Sequence, residues 1–237
     1  MYEIAIKVLN KLTKHGYEAY IVGGYPRDFL LNRKSFDIDI CTSAKPREIK
    51  EIFKDGIVSK AEYGSVTVIY HKIRFEITTF RKDLKYENHR IPTKIKYIGS
   101  LVNDLKRRDF TINTICIDAR GNIIDLLNAK DDLEEKTIKM VGNPKYRLKE
   151  DVLRILRAIR FSTILDFKLD DELKKYIKKY GYLLKDLSYF RKKEELDKIF
   201  LSDNALKGIK LIKELELDKH LKLSNLDNLK ITSSIIG

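Results

Sequence analysis

The chain has 237 residues, of which 43% are hydrophobic and 35% charged, with 48 Lys+Arg against 35 Asp+Glu and a formal net charge of +13. That size suits two domains, and the apolar share is enough for a packed core rather than a disordered tail. No apolar run reaches the roughly 18 residues of a membrane span, MYEIAIKVLNKL is too charged for a signal peptide, and two isolated cysteines, Cys41 and Cys116, exclude a disulfide framework or a zinc site. The expectation is a soluble, cytoplasmic protein with no membrane-spanning part.

In chain order, Ile4, Val8, Leu9 and Leu12 share one helical face, and His15-Gly16 stops that helix. Residues 17–22 form a strand that ends in Gly23-Gly24 and passes into a short helix ending near Leu31. Residues 35–41 alternate strictly, with Phe36, Ile38 and Ile40 on one face and Asp37 and Asp39 on the other, which predicts a second strand. A helix follows over 45–54. Strands over 65–70 and 73–80 are joined by a His71-Lys72 turn. Residues 81–95 show no period and are expected to be a loop. A short helix covers 101–106, and a strand runs within 109–118.

Beyond Val141-Gly-Asn-Pro144 only helical periods are found, over 149–162, 170–183, 191–200 and 203–215. The change predicts an α/β head over 1–140 and an all-α region over 141–237. The head holds 26 basic and 20 acidic residues and the helical part 22 and 15, so the latter is the more basic per residue. A basic surface concentrates polyanions. Nucleic acid is the first expectation, an anionic membrane surface the second, and plain solubility the bland alternative.

Chemistry is densest around Asp37 and Asp39. Two carboxylates at i and i+2 on one strand face repel unless a cation neutralises them, and paired hard oxygen donors suit Mg²⁺ in phosphoryl transfer. Glu76, flanked by Phe75 and Ile77, is a third candidate carboxylate. Alternating aspartates more often face water, so the pair alone is weak. Its neighbours strengthen it: Gly23-Gly24 permits close approach of an anion to backbone N–H groups, and Arg27 can fork onto phosphate oxygens.

Gly23-Gly24-Tyr25-Pro26-Arg27-Asp28, Leu30-Leu31 and Asp37-Ile38-Asp39 together resemble the GGxVRDxLL…DxD motif of the class II tRNA nucleotidyltransferase and bacterial poly(A) polymerase family. Pro26 replaces the usual Val, a change tolerated in a first helical turn. Residues 107–113, RRDFTIN, and Glu150-Asp151-Val152-Leu153-Arg154 with Arg157, Ala158, Arg160 and Phe161 resemble two further motifs of that family, in the same order. The resemblance covers roughly residues 20–165. It implies a polymerase-β-like head with a mixed sheet and helices, followed by a helical neck and body, with the family's tail helices absent from this sequence.

It also implies roles for the matched positions. Asp37 and Asp39 would bind two Mg²⁺ ions, with Glu76 beside them. Gly23, Gly24 and Arg27 would hold the triphosphate. Arg108, Asp109 and Asn113 would meet the ribose. Asp151 and Arg154, three apart and expected on one helix face, would read the base of CTP or ATP, and Arg157 and Arg160 would extend that face toward phosphate. Residues 81–92 resemble the family's flexible loop, in which Asp83 and Arg90 fall, although His89 and Ile91 depart from its usual residues. Gly64-Ser65-Val66 and the ITTFR segment over 77–81 resemble the tRNA-enzyme branch rather than the poly(A) branch, and the loop, which CC-adding enzymes of the family are expected to lack, favours CCA or A addition to the tRNA 3′ end. An A-adding enzyme or poly(A) polymerase of the same family, a catalytically inactive RNA-binding protein and a small-substrate transferase are the alternatives. A homodimer is one expected way of gripping RNA without the tail.

Overall fold

The computed structural model describes residues 1–35, 37–56, 64–87 and 91–221. Its strands are β1 (Ala19–Val22), β2 (Asp39–Thr42), β3 (Ser65–Tyr70), β4 (Ile73–Thr79), β5 (Arg81–Glu87), β6 (Ile91–Tyr97), β7 (Cys116–Ile117), β8 (Ile123–Ile124), β9 (Thr137–Ile138) and β10 (Lys168–Leu169). The helices are α1 (Tyr2–Lys14), α2 (Gly24–Leu30), α3 (Pro46–Ile52), α4 (Leu101–Leu105), α5 (Ala129–Glu134), α6 (Pro144–Glu150), α7 (Leu153–Leu165), α8 (Asp171–Tyr180), α9 (Tyr189–Phe200), α10 (Ala205–Glu214) and α11 (Asp218–Leu221).

A mixed six-stranded sheet runs in the order β3-β4-β2-β1-β7-β8. β1 is antiparallel to both neighbours, whereas β2 and β4 are parallel, with Asp39 opposite Glu76. The β3–β4 hairpin turns through His71 and Lys72, both at positive φ, the geometry that suits a two-residue connection between twisted strands. α1 lays Ala5, Val8, Leu9 and Leu12 against Ile21, Ile40, Val66, Phe75 and Ile77, forming the first core. The apolar stripe read from the sequence thus becomes the contact that fixes the sheet carrying the aspartates.

A second core draws on both sides of residue 140. Phe110, Ile112, Ile115, Leu133, Ile138 and Met140 pack with Ile155, Leu156, Ile159, Phe161 and the apolar faces of the later helices. Among the described residues after 140 the chain is helical apart from a strand that periodicity does not reveal: β10 pairs in parallel with β9, tying the helical part back to the end of the head. Two residues are too few to show an alternation.

Other local expectations change as well. The strand expected over 35–41 begins only at Asp39, because β1, its partner, ends at Val22 opposite Asp39 and turns away at Gly23. Residues 81–95 are not a loop: β5 and β6 pair antiparallel, with register shifts between Asp83 and Tyr86. This ribbon stands outside the main sheet, and the side chains it turns inward over 81–84 are the charged Arg81 and Asp83 with Leu84 exposed, so no apolar alternation marks it in the sequence. The segment 109–118 supplies only the short β7, preceded by a 3-10 turn over Thr111–Asn113. The helix expected over 149–162 breaks between α6 and α7, where extended Asp151 accepts a hydrogen bond from the Leu153 N–H at 3.1 Å.

Candidate active site

The turn after β1 determines where the first carboxylate lies. Gly23 has φ +86°, a conformation that penalises any Cβ, and a Cβ there would lie 3.2 Å from Asp39 Oδ2. The bare backbone at Gly23 therefore makes room for the Asp39 carboxylate. Asp37 and Asp39 both open onto a cavity of about 780 Å³, although Asp37 precedes the strand rather than sharing its pleat. Although Asp39 is exposed, desolvation by the surrounding cleft pushes its carboxyl up, repulsion from Glu76 and Asp37 adds to this, and Arg108 opposes it. Glu76 is exposed beside Asp39, accepts a hydrogen bond from Ser65 Oγ at 2.7 Å, and lies outside the lining of the cavity.

The rest of the lining is dominated by guanidinium groups. Arg27, Arg81, Arg107, Arg108, Arg154, Arg157, Arg160 and Arg191 face it, together with Asp28, Asp37, Asp39, Asp83, Asp109 and Asp151. Eight arginines against six aspartates leave a site that attracts a polyanionic ligand, and the forked donors suit phosphate oxygens.

Most of these arginines are already oriented. Buried Arg27 donates from Nε and Nη2 to Asp28 at 2.9 and 3.0 Å, and from Nη1 to Asn113 Oδ1 at 2.7 Å. Asn113 Nδ2 donates onward to Asp109 Oδ1 at 3.1 Å, and Asp109 Oδ2 accepts from Arg157 Nε and Nη2 at 2.8 and 2.5 Å. With the Phe110 N–H also on Oδ1 at 2.8 Å, Asp109 accepts four hydrogen bonds, the full capacity of a carboxylate. Burial alone would raise its pKa, but Arg157, Asn113 and the Phe110 N–H hold it far below the usual carboxylate range. A ribose hydroxyl reaching Asp109 would have to displace one of these donors. Two of the residues expected at the ribose, Asn113 and Asp109, thus link Arg27 of α2 to Arg157 of α7, whereas Arg108 stands outside this chain.

Arg108 donates to Asp104 Oδ2 at 3.2 Å, and Arg107 Nε to Asp104 Oδ1 at 2.9 Å. Asp104 is fully buried and also accepts from the Arg81 N–H. Sequence reasoning missed it, although its i, i+3 and i, i+4 spacing to Arg107 and Arg108 is a readable sign. Arg160 pairs with buried Glu195 of α9 at 2.7 Å. Arg27, Arg157 and Arg160 all stand within 5.4 Å of the Phe161 ring centre, so one aromatic ring gathers three charges from both halves of the chain.

Asp151 and Arg154 do not share a helix face, since Asp151 precedes α7, yet they face the same cavity with Arg154 Nε 3.9 Å from Asp151 Oδ2. Asp83 lies on β5, not in a loop; it pairs with Arg81 at 3.3 Å and also lines the cavity. Arg90 and His89, like Phe36, fall outside the described residues. Cys41 and Cys116 are free and buried on the strands flanking β1, and burial, with the neighbouring Cys116, pushes the Cys41 thiol well up.

Among the described residues no group of three or more His, Cys, Asp or Glu side chains forms a metal-holding cluster, and no helix is long and apolar enough to cross a membrane. The Asp37–Asp39 pair still fits Mg²⁺, which uses one or two carboxylates and completes its shell with phosphate and water.

Comparison with known proteins gives the family. The chain matches the family profile "Poly A polymerase head domain" over residues 19–139, and "Probable RNA and SrmB- binding site of polymerase A" over 166–225. It is 43% identical over 210 residues to the CCA-adding enzyme of Limosilactobacillus reuteri, covering 89% of this chain and 52% of the relative. It is 42% identical over 219 residues to the CCA-adding enzyme of Ligilactobacillus salivarius, covering 92% and 54%. Among solved structures, it is similar to the Bacillus stearothermophilus CCA-adding enzyme in complex with CTP (TM-score 0.86, 35% identity, 93% of this chain and 53% of that one). It is also similar to the Thermotoga maritima CCA-adding enzyme complexed with tRNA-CCA (TM-score 0.78, 28% identity, 93% and 52%). The chain spans about half the length of the curated relatives it matches. With a profile covering half of its residues and the carboxylate–arginine cleft in place, the chain belongs to the Poly A polymerase head domain family.

Proposed function

We propose that the chain adds CMP and AMP, without a nucleic-acid template, to the 3′ end of tRNA, using CTP and ATP. The observation that carries this reading is the meeting in one cleft of the Asp37–Asp39 pair, the arginines from α2 and the 107–109 segment, and Asp151 with Arg154. Carboxylates for a cation, guanidinium groups for a triphosphate and a donor–acceptor pair for a base edge are the three parts such a reaction needs. The naming of the relatives as CCA-adding enzymes, and the CTP and tRNA in the titles of similar structures, support the choice of substrate.

In the proposed reaction the terminal 3′-hydroxyl oxygen bonds to the α-phosphorus as the bond from that phosphorus to the bridging oxygen breaks. The hydroxyl proton is lost and pyrophosphate leaves. Mg²⁺ on Asp37 and Asp39, when bound, would lower the pKa of the hydroxyl and offset the phosphate charge. Arg27 orients the triphosphate beside Gly23 and Gly24. Arg108 shares the anion and restrains Asp39 through its charge. Asp151 and Arg154 select C or A by complementarity, since a wrong base leaves buried polar groups unpaired. Arg157 and Arg160 also line the cleft, each tied to an acid.

The proposal includes a cytoplasmic location and allows a homodimer, which light scattering on the purified protein would decide. The test is extension of tRNA ending at the discriminator base, tRNA-C and tRNA-CC with CTP, ATP or both. Full CCA on the first acceptor is the expected result. Addition of A to tRNA-CC alone would replace the reading with an A-adding enzyme, and a run of A with a poly(A) polymerase. Binding without any addition would replace it with an inactive RNA-binding protein.

A further inference from the structure

Arg154 is among the most buried side chains at the cleft, and two of its donors are engaged inside the protein. Nη1 donates to the Arg147 carbonyl at 2.8 Å, and Nη2 to the Arg107 carbonyl at 3.3 Å. Both acceptors lead to one residue. Arg147, on α6, donates from Nη2 to the Arg107 and Arg108 carbonyls at 2.5 and 2.9 Å and pairs through Nη1 with Glu150. The Val141 N–H donates to the Asp109 carbonyl at 2.8 Å, so the approach to α6 is bound to the same stretch of backbone. Neither the proposed chemistry nor the sequence motifs give Arg147 a task.

We infer that Arg147 is a specificity-determining positioning residue: by holding the Arg107 and Arg108 carbonyls and offering its own to Arg154, it sets where the Arg154 guanidinium stands against the incoming base. The inference rests on the proposed base-reading role of Arg154. A planar guanidinium fixed at both terminal nitrogens has one direction left to present, and discrimination by hydrogen bonds fails when the reader is displaced by about an ångström. Because the carbonyls belong to the 107–109 segment, the clamp also couples the ribose and phosphate side of the cleft to its base side. The purely structural alternative is that Arg147 caps carbonyls left without partners after α4. That role would lower stability without changing the choice among nucleotides.

The test is the ratio of correct to incorrect addition, CTP against UTP and ATP against GTP, by the purified protein. A ratio is independent of the fraction of folded enzyme. Arg147→Met, which keeps the stem and removes the donors, is expected to lower the ratio several-fold, in the same direction as Arg154→Ala, with a larger rise in KM for CTP than fall in kcat. Should that variant not fold, Arg147→Lys keeps the charge without the fork and is expected to relax selection to a smaller extent. A ratio unchanged in the folded Arg147 variant, while Arg154→Ala relaxes it, overturns the inference alone. A ratio unchanged in Arg154→Ala overturns the base-reading role and the inference with it.

Discussion

The two sides of the cleft are built on opposite principles. On the carboxylate side, the side chains of Asp37 and Asp39 make no hydrogen bond or ion pair among the described residues, and Asp39 is pushed up by desolvation and its acidic neighbours against the pull of Arg108. On the arginine side nearly every charge is matched: Arg27 by Asp28 and Asn113, Arg157 by Asp109, Arg160 by Glu195, and Arg107 and Arg108 by Asp104. The first side holds carboxylate repulsion that Arg108 offsets only in part and that a cation would relieve further. The second has its geometry fixed before any ligand arrives, so binding a triphosphate requires little reordering. The division follows from the chain: the carboxylates lie where a strand meets a glycine turn, and the arginines lie where helices pack.

The largest expected effect breaks the carboxylate side. Asp37→Ala or Asp39→Ala should abolish addition in the extension assay while CTP and tRNA binding persist, since neither side chain is tied into the fold by an ion pair. Activity equal to wild type in both variants would remove the pair from the chemistry. Next is the selecting pair. Arg154→Ala should lower discrimination by about 1–3 kcal/mol, roughly 5- to 150-fold in the ratio of correct to wrong nucleotide, because the wrong base would no longer leave a buried group unpaired. A variant that still rejects GTP and UTP as the wild type does contradicts the assignment.

The arginine side should show its effect in stability. Asp109→Asn should destabilise the fold by about 1–3 kcal/mol at neutral pH, a range that allows for the partial exposure of Arg157, and a thermal melt would read it. The sign of the pH dependence follows from the depressed pKa. Asp109 stabilises the fold at every pH above its unfolded-state value near 4, and loses that contribution only as the pH falls further, through the native value. The gap between wild type and Asp109→Asn should therefore hold from neutral pH down to about pH 4 and narrow only in stronger acid. A gap that closes between pH 7 and 5 would contradict it. The smallest effect is expected at Glu76, exposed and bonded to Ser65: Glu76→Gln should slow addition less than either aspartate change. Loss as complete as that of Asp39→Ala would move Glu76 into the site.

What the sequence disclosed follows the same division. Local features were legible: the glycine turn before Arg27, the aspartate pair, the amphipathic α1 and the His71-Lys72 hairpin all depend on neighbours within a few residues. Partnerships across the chain were not. Asn113 meets Arg27 from 86 residues away, Arg157 meets Asp109 across 48, and Arg147 reaches the Arg107 carbonyl across 40. No periodicity encodes such pairs, because packing of the second core brings them together. The β5–β6 ribbon escaped because the residues it turns inward over 81–84, Arg81 and Asp83, are charged rather than apolar. The break at Asp151 escaped because a carboxylate that caps a helix and one within a helix look alike in a charged, helix-rich stretch.

The central claim is that the carboxylate side is built for a cation that arrives with the nucleotide. It is tested most directly by Mn²⁺ binding, followed by electron paramagnetic resonance, to the wild type and Asp39→Ala with and without CTP. Tight binding that requires CTP in the wild type, and its loss in Asp39→Ala with CTP affinity little changed, is the predicted result. Equal Mn²⁺ binding in both proteins would contradict it.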